Sequence, residues 1–262
     1  MKRFIKTMAA AFACLMCTTS IFAQQNRTQA LINAALRGWE YEVKAGLSFG
    51  GSAPLPLPAE IRSIDSYNPT LAINLEGNAT KWVGQKKEWG FITGIRFENK
   101  NMTTKATTKN YKMEIIGHDG NRLKGNWTGG VKTKVRNAYL TVPVLAAYKI
   151  SKRWNIKFGP YVSYLMDGEF SGEVYEGYLR EGNPTGDKIN FYDGAIATYD
   201  FSDDLRKFAW GLQLGADWKA FKHLKVYTDL TWGLNDIFQK DFETVSFSMY
   251  PIYLNIGFAY AF

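Results

Sequence analysis

Apolar and polar side chains alternate with a period of two in eight separate segments, and no other feature restricts the fold of this chain so strongly. The first segment shows the pattern. Trp39, Tyr41, Val43, Ala45, Leu47 and Phe49 occupy one face, and Glu40, Glu42, Lys44, Gly46 and Ser48 the other. Successive side chains of a strand point to opposite faces, so this is the signature of a strand apolar on one side and polar or small on the other. The alternation returns at residues 71–79, 89–97, 140–148, 156–164, 208–218, 224–232 and 250–262. Each run is about ten residues. At about 3.3 Å per residue and a tilt of about 40°, a run covers the roughly 25 Å apolar band of a membrane-spanning barrel.

The connections carry as much information as the strands. They run long (50–69), short (80–88), long (99–137), very short (151–153), long (167–206), very short (220–222) and intermediate (234–248). Barrels that span an outer membrane sort their connections this way, with tight turns on the periplasmic side and long loops outside. A soluble sandwich has no reason to do so. The expected fold is therefore all-β, an eight-stranded antiparallel up-and-down transmembrane β-barrel over residues 39–262, with both ends in the periplasm. Tryptophans give a second indication. Trp39, Trp82, Trp89, Trp154 and Trp218 fall beside the short-turn ends or the N-terminus and are assigned to an interfacial aromatic girdle. Trp210 and Trp232 lie nearer the opposite end.

Residues 1–23 combine a basic start (Lys2, Arg3, Lys6), an apolar stretch from Met8 to Met16 and small residues ending at Ala23. They read as a secretory signal peptide cleaved after Ala23. Cys14 and Cys17, the two cysteines of the chain, both fall within it, so the exported protein is expected to have no disulfide and no thiol chemistry. Residues 24–38 read as a periplasmic segment with a short helix capped by Thr28. After the leader no apolar run of about 18 residues occurs, which leaves strands as the way to cross a bilayer. The low charged fraction, 21%, beside 15% aromatic residues excludes a disordered chain or a coiled coil.

The last segment ends Asn255, Ile256, Gly257, Phe258, Ala259, Tyr260, Ala261, Phe262. Asn255, Gly257, Tyr260 and Phe262 follow the polar–glycine–aromatic–aromatic pattern of the signal by which outer-membrane barrels are passed to the assembly machinery. That machinery is thus an expected partner during biogenesis, an edge strand with open backbone groups being its natural contact. No peptidoglycan-binding domain is expected beyond the barrel.

Several stretches together resemble the PorT-like outer-membrane β-barrel family of Gram-negative bacteria. They are Tyr139-Leu140-Thr141-Val142-Pro143-Val144, Phe158 to Leu165, Phe201 to Asp204 leading into Trp210-Gly211-Leu212-Gln213-Leu214-Gly215, and Gly233-Leu234-Asn235-Asp236-Ile237. The order of these short motifs, more than any one of them, carries the likeness. The resemblance implies a multi-pass barrel in the outer membrane. It also implies, for a member of known role, an accessory part in secreting and maturing exported proteins.

Chemistry is sparse. The two histidines are His118, beside Asp119 at a loop apex, and His223 in a short turn. His118 reads as turn chemistry rather than a catalytic base. There is no zinc-ligand spacing and no phosphate-binding glycine loop, so neither a metal nor another cofactor is expected. The basic residues form no nucleic-acid motif. Pro54-Leu55-Pro56-Leu57-Pro58 reads as a stiff extended connection. The inward set of the strands contains Glu42, Lys44, Glu76, Arg96, Glu98, Lys157, Tyr161, Asp217, Tyr227 and Asp229. An eight-stranded barrel has room inside for side chains only. Charges of both signs there are expected to pair into a lumen network, since unpaired ones would be costly. The expected function is that of a non-enzymatic scaffold or accessory factor for an envelope protein partner. A small-solute pore and a lipid- or peptide-modifying enzyme are the alternatives.

The two longest connections are oppositely charged. Residues 99–137 hold nine bases against two acids, +7, and residues 167–206 hold three bases against ten acids, −7. They are expected to lean together as an extracellular lid, held by Trp127, Tyr175, Tyr178 and Phe191, with the first extending as a hairpin. The alternative is separate solvation, with the basic loop facing lipopolysaccharide phosphates. Membrane lipid and lipopolysaccharide are the expected surroundings of the barrel.

Overall fold

The computed structural model describes residues 38–117, 120–242 and 244–262. The signal-peptide segment, Cys14, Cys17, the 24–37 stretch, His118 and Asp119 lie outside the described residues.

Within residues 40–262 the chain is built from ten strands: β1 (Trp39–Pro54), β2 (Ile61–Asn68), β3 (Ile73–Val83), β4 (Trp89–Ile116), β5 (Arg122–Lys149), β6 (Trp154–Glu181), β7 (Lys188–Asp200), β8 (Phe208–Lys219), β9 (Leu224–Gly233) and β10 (Met249–Ala261). Eight of them form a closed ring in the order β1-β3-β4-β5-β6-β8-β9-β10. The ring closes where β10 returns antiparallel to β1, from Glu42↔Ala261 to Pro54↔Met249. Closure leaves the membrane section without an open sheet edge, the condition a β structure must meet in hydrocarbon. Strands β2 and β7 lie off the ring, β2 on β4 and β7 on β6 and the tip of β4.

Those two strands exist because β4, β5 and β6 run far past the membrane. Each has 28 residues, where about 9–11 suffice to cross. The hairpin expected within 99–137 is thus present as the paired outer halves of β4 and β5, and 167–206, read from the sequence as a loop, is also largely strand. β5 and β6 stay paired from Lys149↔Asn155 up to Gly125↔Glu181. The oppositely charged segments do meet, but as neighbouring strands joined by a backbone ladder rather than as loops drawn together by charge. Charge pairs decorate the seam: Lys132 Nζ lies 2.7 Å from Glu173 and Arg136 3.7 Å from Glu169. Partly exposed pairs of this kind contribute only about 0–1 kcal/mol each.

The extension has its own apolar core. Its inner face carries Met102, Met113, Ile115, Trp127, Val131, Val135, Phe170, Val174 and Leu179. Phe191, Phe201, Ile237 and Phe238 pack onto them from β7 and the 201–248 connections. Trp127 is fully buried, with its ring 5.4 Å from that of Phe191. Tyr175 and Tyr178 are half-buried. Phe238 meets Phe170 at 4.9 Å and Phe242 at 4.6 Å, so the 234–248 connection folds over the outer mouth.

The seam between β5 and β6 should respond to acid. The hydrogen bond from Lys132, together with its charge, holds the Glu173 carboxyl below the usual carboxylate range. A carboxyl whose folded pKa is depressed contributes stability above its unfolded value, about 4.3, and loses it as pH falls through the folded one. Protease access to the 127–135 segment should stay flat from pH 7 to about 5 and rise below about 4. A Glu173→Gln variant should lack that step; an identical profile in the variant would exclude this bridge as its source.

The membrane section follows the alternation read from the sequence. Leu47, Leu75, Phe91, Ile95, Val144, Phe158, Leu214 and Ile256 face outward and are exposed. Trp89, Trp154 and Trp218 also face outward, near the tight-turn ends. Trp89 packs on Tyr148 at 4.8 Å and Trp154 on Trp218 at 6.4 Å. Trp39 opens β1 and is half-buried. Trp82 does not belong to this group. Along β3 the buried residues are Asn74, Glu76, Asn78 and Thr80, and Trp82 shares their parity. It therefore turns inward and packs on Ile92, Leu145 and Ala147. The Lys149 ammonium sits 3.7 Å over its ring. Proximity to a turn places a tryptophan in height; strand parity decides on which side of the wall it lies.

Candidate functional site: the charged interior of the barrel

The membrane section is filled by ion pairs. Every charged residue assigned inward from the sequence is buried: Glu42, Lys44, Glu76, Arg96, Glu98, Lys157, Asp217 and Asp229. Tyr161 and Tyr227 are buried with them.

Adjacent strands supply some of the partners, and more distant strands of the ring supply the rest. Glu76 on β3 and Arg96 on β4 are direct cross-strand neighbours, and the Arg96 Nε donates to Glu76. The same guanidinium donates to Gln213 Oε1 at 2.6 Å and approaches Glu98 at 3.5 Å. Glu98 also accepts from Thr141 at 2.7 Å and lies 3.3 Å from Lys100. Lys157 reaches Asp217 at 2.6 Å and Asp229 at 3.0 Å. Lys44 stands among Glu76 (3.3 Å), Glu42 (3.4 Å) and Asp229 (3.9 Å). Glu42 is completed by Lys225 at 2.7 Å.

The described network thus sets five carboxylates (Glu42, Glu76, Glu98, Asp217, Asp229) against five cations (Lys44, Arg96, Lys100, Lys157, Lys225). It is electrically balanced, which buried charge requires where water is scarce. A neutral chain lies beside it. Tyr227 donates to Asn74 at 2.5 Å, Asn74 to Ser48 at 3.1 Å, and Ser48 to Asn255 at 2.6 Å. Small residues make the room. A Cβ on Gly215 would come within 1.8 Å of Asp229 Oδ1 and 2.6 Å of Lys157 Cε. The glycine is the gap through which that pair meets.

Above the ion pairs, Lys100 faces the rings of Tyr139, Tyr161 and Tyr253 at 5.1, 5.3 and 5.7 Å. Cation–π contact suits a lysine at the border between charged and apolar layers. Over this border the apolar core of the extension begins with Tyr139, Leu165 and Phe170. The passage through the barrel is filled twice, by charge below and by hydrocarbon above.

Sequence reading missed Lys100, Lys225 and the neutral partners. Lys100 was assigned to a loop because β4 was ended at Phe97. Its parity with Arg96 and Glu98 was the available signal. Asn255, singled out with the terminal motif, is buried in the lumen. Gly257 lies opposite Gly46, where a Cβ would come within 2.5 Å of Gly46 Cα. Tyr260 and Phe262 face outward, their rings 5.2 Å apart. His223 contacts the Ala261 carbonyl at 2.8 Å through Nδ1 and stacks on Tyr260. Among the described residues, no group of three or more histidine, cysteine, aspartate or glutamate side chains is placed to hold a metal ion.

A closed antiparallel ring with an apolar outer band and a charged, paired interior defines a membrane-spanning β-barrel. The chain matches the family described as outer membrane protein beta-barrel domain over residues 22–239, and it belongs to that family. This places it in the outer membrane of a Gram-negative bacterium. No curated protein matches it. Among solved structures, it is similar to the attachment invasion locus protein Ail of Yersinia pestis at 7% identity. That match covers 86% of this chain and 97% of the other, with a TM-score of 0.35. It is also similar to the outer membrane protein OprG from Pseudomonas aeruginosa (13% identity, 85% and 95% covered, TM-score 0.29). The outer membrane protease OmpT from Escherichia coli is similar at 13% identity, with 86% and 97% covered and a TM-score of 0.30.

Proposed function

We propose that this protein is a non-conducting, non-enzymatic barrel that works through its extracellular face, as a scaffold or accessory factor for another protein of the cell envelope. The double filling of the barrel supports this reading above all. A pore needs a hydrated path, and here buried ion pairs and an aromatic ceiling occupy it. An acid–base enzyme needs a carboxylate free to exchange protons with substrate, and all five interior carboxylates are engaged by cations. The extension offers instead a rigid, sheet-built surface well beyond the membrane, the kind of face that binds partners by contact. The PorT-like motifs between Tyr139 and Ile237 support a place with that group and a role in protein export.

Conductance separates this reading from its alternative. Purified protein in a planar bilayer should give no steady channel. A stable current on the order of a nanosiemens, the scale of a water-filled barrel, would refute the closed interior and favour the pore. Crosslinking in intact cells, followed by identification of attached proteins, tests the scaffold role. Reproducible recovery of one envelope protein through the 99–137 segment is the expected result, and recovery of lipid alone counts against it.

A further inference from the structure

Above the ring, β2 stands beside β4 and the barrel wall splits between β1 and β2. Lower down, β3 fills that place, but it begins only at Ile73, and Ser48 N still reaches Ala72 O there at 2.8 Å. Farther out, β1 continues to Pro54 paired with β10 alone, while β4 is paired with β2 from Thr103 to Thr108. In the order of strands β2 neighbours β4 and does not neighbour β1. Tyr67 Oη spans the gap to Gly50 O at 2.6 Å.

Behind the split lies a cavity of about 400 Å³, within the range of sites that hold small ligands. Its floor and back are Met102, Ala106, Val131, Phe170, Phe247 and Met249. Every described lining residue is uncharged, and the polar atoms are hydroxyls and backbone. Leu57 and Ile64 stand at the rim and are exposed, 56% and 59%. Leu47, Phe49 and Leu71, lower on the wall, are exposed as well.

We infer that this cavity takes a single acyl chain, entering sideways through the split wall, with the polar head of the lipid or fatty acid left outside. Three observations converge on that class of ligand. The lining offers dispersion contact and no charge, so it suits hydrocarbon and rejects an ionic head. The rim residues Leu57 and Ile64 are apolar and exposed, so a chain meets hydrocarbon as it enters. The charged lumen beneath closes the cavity, so a chain is held there rather than passed on. This inference stands apart from the scaffold reading and survives its failure.

Photolabelling in liposomes tests it. The full protein is reconstituted with palmitate carrying a terminal diazirine in one arm, and with a phospholipid carrying the same group on its acyl chain in the other. Labelled residues are mapped by mass spectrometry. Lipid-facing Leu212 and Leu214 are labelled in either case and calibrate exposure. The expected result is additional label on the inner-face residues Met102, Ala106 and Phe247. Label from palmitate alone identifies a free acid as the ligand, and label from the phospholipid identifies a membrane lipid. Ala106→Trp, which fills the cavity, should cut inner-face label by at least about tenfold because the chain loses its contacts. Leu212 and Leu214 should keep theirs. Thr104→Trp on the same wall replaces it if that variant fails to show the heat-dependent gel mobility of a folded barrel. Label confined to lipid-facing residues in both arms, or inner-face label unchanged in a folded filled variant, overturns the inference.

Discussion

Changing Arg96 to methionine should destabilise the membrane barrel by about 3–5 kcal/mol, the cost of breaking a buried ion pair from one side. Arg96 is the hub of the interior: it engages Glu76, Glu98 and Gln213 at once. Methionine retains the volume of the stem, so most of the loss comes from the lost cation: Glu76 keeps only Lys44 and Glu98 only Lys100, and the buried set carries one uncompensated negative charge. Denaturant unfolding in liposomes, followed by tryptophan fluorescence, measures it. The double variant Arg96→Met, Glu76→Gln should recover most of the stability, since it leaves four carboxylates against four cations: Lys44 keeps Glu42 and Asp229, and Glu98 keeps Lys100 and Thr141. A single variant within about 1 kcal/mol of the parent would mean that the interior behaves like an exposed surface, where such pairs contribute little.

The second large effect belongs to the extension. Trp127→Ala should cost about 3–5 kcal/mol, the usual range for a large aromatic removed from a core. The side chain is fully buried beneath Phe191, between the inner faces of β5 and β6. Because this core is separate from the ion-paired one, the damage should stay local. Proteolysis of whole cells should cut the variant within 122–135 much faster than the parent, while the heat-dependent gel mobility of the ring is unchanged. Loss of both together would show that the ring and its extension fold as one cooperative unit, with no independent core above the membrane.

These two expectations concern regions that were not equally legible in the sequence. The ring was, because period-two alternation is a property of neighbours along one strand and survives in any register. Glu42 and Lys44, or Arg96 and Glu98, share a face wherever their strand is placed, so their inward direction could be read directly. The extension was legible in part: the 99–137 connection reads as a hairpin carried beyond the membrane, as β4 and β5 are, but β2, β7 and the upper half of β6 do not stand out. Past Asn99 both faces of β4 and β5 are mixed: Lys105, Thr107 and Lys109 point outward, but Thr104 and Thr108 point inward. In water a strand has no lipid to satisfy, so its outer face becomes polar and the contrast that marks a strand fades. A bulge in β4 between Thr108 and Tyr111, and one in β6 opposite Ala138 and Tyr139, then shift the parity, and the alternation loses its phase. Trp82 fell to the opposite error, an apolar residue assigned outward against the parity of its own strand.

Period-two alternation and connection lengths were enough to read the number of ring strands, their order and most of the charged residues that line the interior. Tertiary structure alone decided which charges meet. Lys157 finds Asp217 and Asp229, and Lys225 finds Glu42, only once ring closure and strand stagger set the heights of strands distant in sequence. It also decided that two oppositely charged segments become one sheet, and that the wall parts between β1 and β2 to leave an apolar cavity. Pairing is a relation between strands, and a chain read one residue at a time records which way a side chain faces but not what stands across from it.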